Sequence, residues 1–562
     1  MKNTLLFLFL LIFSLKLTAQ VPFNTSPVWI STDPQNYSTG CAWADINRDG
    51  RLDFVVANGN DMAREKVVVY YNTGSGTFLP TLPSWQSGDI DYHGQLSIGD
   101  VNKDGYPDVA VSVYIGAAGF SQKGRVKLYL NNSGTLNSAP SWVSEDTLYT
   151  FSCAFGDADG DGNPDLAVAT GESYNSKPDY DRIYFNNNGV LAVLPGWKSK
   201  YLGYSMDVTW ADFNGDGRLD LVFAGERGPS RMYLNYGDSI GTVPYWMSAD
   251  AGINNNSLFA GDVNNDGMID LAVSENNQLG GTGKFKIYLN TGITLSTTPF
   301  WSSAFSGYGS GISLADIDQD GDLDLTTGGW WQPCRIYLNQ SGTFNVNPQW
   351  TSVTGSVVET IVFGDYDNDG LDSLTNQFTS SGTKKLFYLT KKPFHKIIKI
   401  YFGADSVSAN QYCYDAENGW ISFASAPPNG TIISIRYIAS HDLDFAVSNW
   451  DASLGNYVFK NNIIVNIPPA EEQFPNDFFL SQNYPNPFNP STAIRYSIPR
   501  RGEVKLTVFD VTGREAATLV NEKQSAGTYQ VTFNGSAFTS GVYFYRLTAG
   551  DFSDTKKLLL IK

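Results

Sequence analysis

Nine-residue acidic segments recur along the 562-residue chain in one order: Asp, any, Asp or Asn, any, Asp, Gly, any, any, Asp. They read DINRDGRLD, DVNKDGYPD, DADGDGNPD, DFNGDGRLD, DVNNDGMID, DIDQDGDLD and an imperfect DYDNDGLDS. Positions 1, 3, 5 and 9 are Asp45, Asn47, Asp49 and Asp53 in the first copy, and Asp100, Asn102, Asp104 and Asp108 in the second. The third and fourth copies supply Asp157, Asp159, Asp161 and Asp165, then Asp212, Asn214, Asp216 and Asp220. The fifth and sixth supply Asp262, Asn264, Asp266 and Asp270, then Asp316, Asp318, Asp320 and Asp324. The seventh offers Asp365, Asp367 and Asp369, after which the register slips so that Asp372 falls at position 8 and Ser373 at position 9. Hard oxygen donors at alternate residues, around a glycine that lets the backbone turn back, suit a cation. Ca²⁺, which takes about six to eight oxygens in irregular geometry, is the natural occupant. Bare carboxylates this close would repel by roughly 1–4 kcal/mol per pair, so solvated Asx-turns are the weaker reading. An EF-hand needs an acid at position 12 and flanking helices, whereas these loops carry Val56, Val111, Val168, Phe223, Val273 and Thr327 there.

Strands must position these loops. Copies start 49–57 residues apart, a spacing that fits one four-stranded sheet of a β-propeller. Fifteen or sixteen residues upstream of each stands a tryptophan: Trp29, Trp85, Trp142, Trp197, Trp246, Trp301 and Trp350. A Gly or Ala precedes each first Asp, a β-rich run such as DFVVA or DLAVA follows each loop, and a Tyr-x-Asn strand end comes later. Trp420 lies 24 residues before Asp444 in HDLDFAVSN, as Trp29 does before Asp53, which gives a degenerate eighth copy. The fold class is therefore all-β, a propeller of seven or eight blades with eight the preferred count. A long insertion, residues 391–418, precedes the last unit.

The balance of 56 acids against 38 bases gives a formal charge of −18, which excludes nucleic acid, whose phosphates demand a basic stripe. The N-terminus has the basic start, apolar run and small-residue exit of a secretory signal, residues 1–19. Lys16 interrupts the run too early for a membrane anchor, and no later segment is long and apolar enough to span a bilayer. Cys41 and Cys153 occupy a position that other copies fill with Leu, Val or Ile, so they read as small core residues; Cys334 and Cys413 have no evident partner. The propeller reading covers residues 20–462 and a linker 463–473. Residues 474–562 alternate in VKLTVFD, TYQVTFN and VYFYRLTAG as a small C-terminal β-sandwich.

On the spaced loops, residues 21–462 resemble the FG-GAP/VCBS repeat family, which includes the propeller of integrin α-chain headpieces. That resemblance implies calcium-binding hairpin loops that stabilise the blades without touching ligand. The C-terminal segment, with its YPNPFNP run (484–490), Val511-Thr512-Gly513-Arg514, Gly541-Val542-Tyr543 and basic end (556–562), looks like a type A sorting domain of the type IX secretion system. This implies the type IX machinery as partner, outer-membrane translocation, and a secreted or cell-surface location.

A non-enzymatic binding or adhesion protein for a glycan or protein ligand is the leading expectation. The alternative is a carbohydrate-active enzyme, resembling a polysaccharide lyase, that uses one propeller face. His93, His395 and His441 are isolated, and no motif of a nucleophile, zinc or phosphate site occurs. An active site would draw on the insertion, with His395, Asp405, Tyr412, Tyr414 and Asp415.

Overall fold

A computed structural model describes residues 21–33, 36–250, 254–292, 294–451, 453–462, 478–483, 486–498, 502–524, 527–550 and 552–561. The expected signal and linker lie outside the described residues. The chain divides into two compact units after Ile463.

The repeated β-rich runs of the first unit form seven antiparallel four-stranded sheets. The first sheet comprises Ser38–Ala44, Asp53–Asn58, Val67–Tyr70 and Trp85–Gln86. Later sheets open with Tyr92–Gly99, Thr150–Gly156, Ser205–Ala211, Asn255–Gly261, Gly309–Ala315 and Val358–Gly364. These opening strands touch one another in succession, and Val358–Gly364 touches Ser38–Ala44, so the sheets close into a ring consistent with a β-propeller. Second strands such as Asp53–Asn58 and Asp165–Thr170 are buried along their whole length. Their sequences run apolar without alternation because each sheet is covered on both faces.

Each tryptophan forms the outermost strand of its sheet and packs onto the next one. Trp142 meets Tyr184 at 5.4 Å, Trp197 meets Tyr233 at 5.3 Å and Trp301 meets Tyr337 at 5.2 Å, all edge-on. Trp29, which read as the start of the first unit, instead completes the seventh sheet by pairing with Tyr457–Phe459. The seven tryptophans thus close seven sheets.

The expected eighth unit forms no sheet of its own. Asp444–Asn449 pairs with Val358–Gly364 as the second strand of the seventh sheet, with Gly364 opposite Asp444 just as Ala44 stands opposite Asp53. Residues 371–441 are therefore inserted inside the seventh acidic loop, a longer and earlier insertion than 391–418. They fold into two small sheets. One joins Leu371–Thr379, Ile432–Ser440, Phe394–Phe402 and Asp405–Ser406; the other joins Leu386–Tyr388, Trp420–Phe423 and Tyr412–Asp415. Phe387, Ile421, Phe423 and Ile435 give the insertion its own core. Trp420 belongs here and not to a ring sheet.

In the second unit, Ser491–Ile498 and Gly527–Asn534 lie in one antiparallel sheet, while Gly502–Phe509, Glu515–Gln524, Gly541–Ala549 and Phe552–Leu560 form another. Side chains from both, including Ile494, Leu506, Tyr545 and Leu558, share one buried cluster. The only helical segment among the described residues is a 3-10 turn at Ala409–Gln411. All four cysteines are free and buried.

Candidate metal centres

The first six acidic nonapeptides bridge the first and second strands of their sheets, and the seventh leaves the first strand of its own for the insertion. Position 4 takes left-handed backbone, with φ of 58° at Arg48, 57° at Lys103 and 56° at Asn265. Gly50 at position 6 has φ 86°, a conformation that favours glycine and explains the fixed Gly. In all seven loops the position 1 carboxylate accepts the position 6 N–H at 2.8–3.3 Å. Its other oxygen is buried and accepts no hydrogen bond in Asp45, Asp100, Asp157 and Asp365. Such an oxygen is costly to bury without a partner, and a cation would supply one. Position 3 accepts the N–H of position 5 in the first loop, Asn47 to Asp49 at 3.0 Å, and position 5 accepts that of Arg51 at 3.0 Å. The Asx-turns are thus present, but they leave the position 1 oxygens unaccounted for.

Position 9 has a different role. Its first oxygen accepts the N–H of the strand-end Asn, as from Asn186 to Asp165 at 2.7 Å and from Asn290 to Asp270 at 2.7 Å. Its second accepts the N–H of position 2, as from Ala158 to Asp165 at 2.8 Å. The same Asn uses its side-chain amide to join sheets: Asn290 Nδ2 donates to Ile269 O at 3.0 Å in its own sheet and to Phe213 O at 2.6 Å in the preceding loop.

Burial pushes these carboxyls up, with the neighbouring acids adding to it. Asp53, Asp108, Asp157 and Asp220 reach about 7, Asp324 about 8, and Asp100, Asp270, Asp318 and Asp365 about 6. A cation would relieve this cost. Among the described residues, three groups bring carboxylate oxygens within 4.8 Å of one another and can hold a metal ion: Asp157, Asp159 and Asp165; Asp316, Asp318 and Asp320; and Asp365, Asp367 and Asp444.

The last group corrects the reading of the seventh loop. Position 9 is Asp444, not Ser373; Asp372 enters the insertion and meets His441 at 2.9 Å. Joining Gly370 to Asp442 would give DYDNDGDLD, matching DIDQDGDLD of the sixth loop in every acidic position. Ser440, at the end of the insertion, donates its hydroxyl to Asp365 at 2.8 Å, and the 71-residue detour, 371–441, separates Asp442 and Asp444 from the first half of their loop, which made Asp444 look like part of an eighth copy. Lys460 bridges Asp367 and Asp369.

The insertion covers the acidic loops. Lys391 pairs with Asp316 at 2.7 Å, Lys385 donates to Gly160 O at 2.7 Å, Ser422 donates to Asp157 at 2.5 Å, and Tyr388 accepts the N–H of Asp212 at 3.0 Å. Between this cap and the opening strands lies a chamber of about 570 Å³. His395, Tyr412, Tyr414 and Asp415 line it and Asp405 does not. Glu417 and Asp207, also lining it, carried no sequence signal. The three histidines stay apart: His93 is buried with Nδ1 2.9 Å from Asn58 O, and burial holds both it and His395 down to about 4.

At the ring's other end, Trp330, Trp331, Trp450 and Tyr308 form a cluster with centroids 5.7–6.4 Å apart. Buried Glu359 holds it from beneath, accepting from Trp330 Nε1 at 2.8 Å, Trp450 Nε1 at 2.5 Å and Ser310 Oγ at 2.5 Å. No repeated spacing marks these residues in the sequence: Trp330 and Trp331 sit at the turn between Asp324–Gly329 and Gln332–Tyr337, Trp450 follows Asp444–Asn449, and Glu359 lies on Val358–Gly364.

Residues 45–111, 113–168 and 212–273 match the FG-GAP-like repeat, 94–129 the FG-GAP repeat, and 482–562 the secretion system C-terminal sorting domain. The chain carries FG-GAP repeats and ends in a type IX secretion sorting domain, which indicates secretion or a cell-surface location. It is 29% identical over 177 residues to integrin alpha pat-2 of Caenorhabditis briggsae, a match spanning 26% of this chain and 14% of the integrin's own length. Among solved structures it is similar to BBS1N in complex with ARL6DN, at 12% identity and a TM-score of 0.39, covering 73% of this chain and 97% of that one. It is also similar to PorZ, a surface component of the type IX secretion system of Porphyromonas gingivalis, at 12% identity and a TM-score of 0.33, covering 91% of this chain and 64% of PorZ. No helix among the described residues is long and apolar enough to cross a membrane.

Proposed function

We propose that the chain is a seven-bladed, calcium-stabilised propeller followed by a β-sandwich address. It is exported by type IX secretion and binds a glycan or protein ligand without turning it over. The 27 loop residues from Asp45 to Asp369 named above, joined by Asp444, hold the ions. The buried, unpartnered position 1 oxygens support calcium in these loops.

Ligand binding falls to the face opposite the acidic loops, because the insertion covers the other one. The observation that carries this is Trp331. It is 61% exposed yet held at φ 57°, a left-handed conformation that costs a bulky residue about 1–2 kcal/mol. A hairpin tip with no other task would take Asn or Gly there. Three further aromatic rings and a buried carboxylate fix its indole as a platform for a sugar ring or an aromatic or cationic side chain. Trp331→Ala, screened on a glycan array and a surface-protein panel beside the wild type, should lose binding at least tenfold with an unchanged melting temperature. Undiminished binding of every ligand found for the wild type on the array and the panel would reject this face.

A further inference from the structure

The capped chamber contains a charge arrangement that neither the metal loops nor the aromatic face explains. Arg48, Lys399 and two metal-loop acids, Asp100 and Asp365, are part of its lining, and three further carboxylates reach it: Asp207 from the opening strand of the fourth sheet, and Asp415 and Glu417 from the insertion. Asp207 accepts four hydrogen bonds, from Ser152 Oγ at 2.6 Å, Val208 N at 2.8 Å, Ser257 Oγ at 3.0 Å and Leu258 N at 2.8 Å. Asp415 accepts three, from Glu417 N at 2.9 Å, Asn418 N at 3.0 Å and Asn418 Nδ2 at 2.7 Å. Glu417 accepts none among the described residues. No Lys or Arg forms an ion pair with any of the three among the described residues; Lys392 acts on Asp415 only at longer range. Burial, then Asp415 and Asp207, push the Glu417 carboxyl up to about 8.

A cation seated here would favour the ionised form of Glu417, and its chemistry follows from what remains free. A calcium ion needs about six to eight oxygen ligands, whereas of the three carboxylates Asp207, Asp415 and Glu417 only Glu417 accepts no hydrogen bond among the described residues. An ammonium group needs only one such acceptor at hydrogen-bond distance, with the other charges nearby. The chamber's volume suits a small organic molecule. Its walls mix apolar side chains, Leu96, Phe155 and Phe259, with Gln95, Ser97 and Thr209, so they would receive an apolar or hydroxylated body behind the charge.

We propose that the chamber is a binding site for a small organic cation, its ammonium seated on Glu417 beside Asp207 and Asp415 and its body against the opening strands of the ring. The insertion is then the wall that completes the pocket as well as a cover for the acidic loops.

Isothermal titration of the full chain in calcium tests this with 2-phenylethylamine, spermidine and glucosamine, each set against a neutral counterpart: 2-phenylethanol, 1,4-butanediol and glucose. The expected result is saturable one-site binding of at least one amine, weakened tenfold or more in the neutral counterpart and in Glu417→Gln. Asp405→Asn, outside the chamber, should bind as the wild type does. No saturable heat with any amine, or equal binding by Glu417→Gln or by the neutral counterpart, would overturn the proposal. Should Glu417→Gln fold poorly, the amine-to-neutral contrast in the wild type decides alone. Trp331→Ala should leave this binding intact, so the chamber and the aromatic face stand or fall separately.

Discussion

At the scale of single residues, the strand-end asparagines join one sheet to the next. Asn290 alone gives its N–H to Asp270 and its amide to carbonyls in two sheets. The Tyr-x-Asn ending is plain in the sequence as a strand boundary. Its bridging role is not, because the acceptor Phe213 lies 77 positions away and no local pattern points to it. Asn290→Ala leaves two buried carbonyls without donors, and each such loss costs about 1–3 kcal/mol. The variant should unfold at a clearly lower urea midpoint with an unchanged slope. An exposed Asn such as Asn345 carries no such bridge, so Asn345→Ala should leave the midpoint in place. The loop carboxylates were far more legible: their alternate spacing and the fixed glycine identify them without any coordinates. Glu417, Asp207 and Glu359 were not, since each gains its meaning from a side chain in another sheet or in the insertion.

At the scale of elements, the seventh loop shows how a repeat can be read correctly and counted wrongly. DYDNDG and DLD are two halves of one hairpin, yet 371–441 falls between positions 6 and 7, so the second half looked like a worn eighth copy. Gly370 has lost the positive φ of its counterparts. A Cβ there would lie 2.5 Å from Asp442 Cβ and Ser440 Oγ, because the returning chain passes directly over it. The tryptophans, seven and not eight, were the better guide, one for each closing strand. An insertion with its own core, entering and leaving at adjacent points of a hairpin, should be removable. A chain in which Gly370 is joined to Asp442 should remain soluble, keep its β-sheet circular dichroism and melt cooperatively, while losing any ligand of the capped chamber. Aggregation or a non-cooperative melt would mean that the ring depends on its cap.

At the scale of the whole molecule, the charge of −18 is concentrated at one end of a ring. Lys391 and Lys460 neutralise part of it, and the insertion lays further lysines over the loops. The position 1 oxygens of Asp45, Asp100, Asp157 and Asp365 remain without a donor, and burial raises the pH needed to keep the loop carboxyls ionised. The architecture, the repeat length and the sorting segment were all legible from sequence, because each is carried by local patterns repeated or contiguous along the chain. Ring closure by Trp29, the nested insertion and the chamber were not, since they depend on contacts between distant segments. Calcium is what would make so acidic a ring stable, and its stoichiometry is the most direct measure. Equilibrium dialysis of the chelator-stripped full chain against labelled calcium should give close to seven ions per chain, with a melting temperature that rises as they bind. Fewer than one ion per chain at millimolar calcium, with an unchanged melting curve, would contradict it.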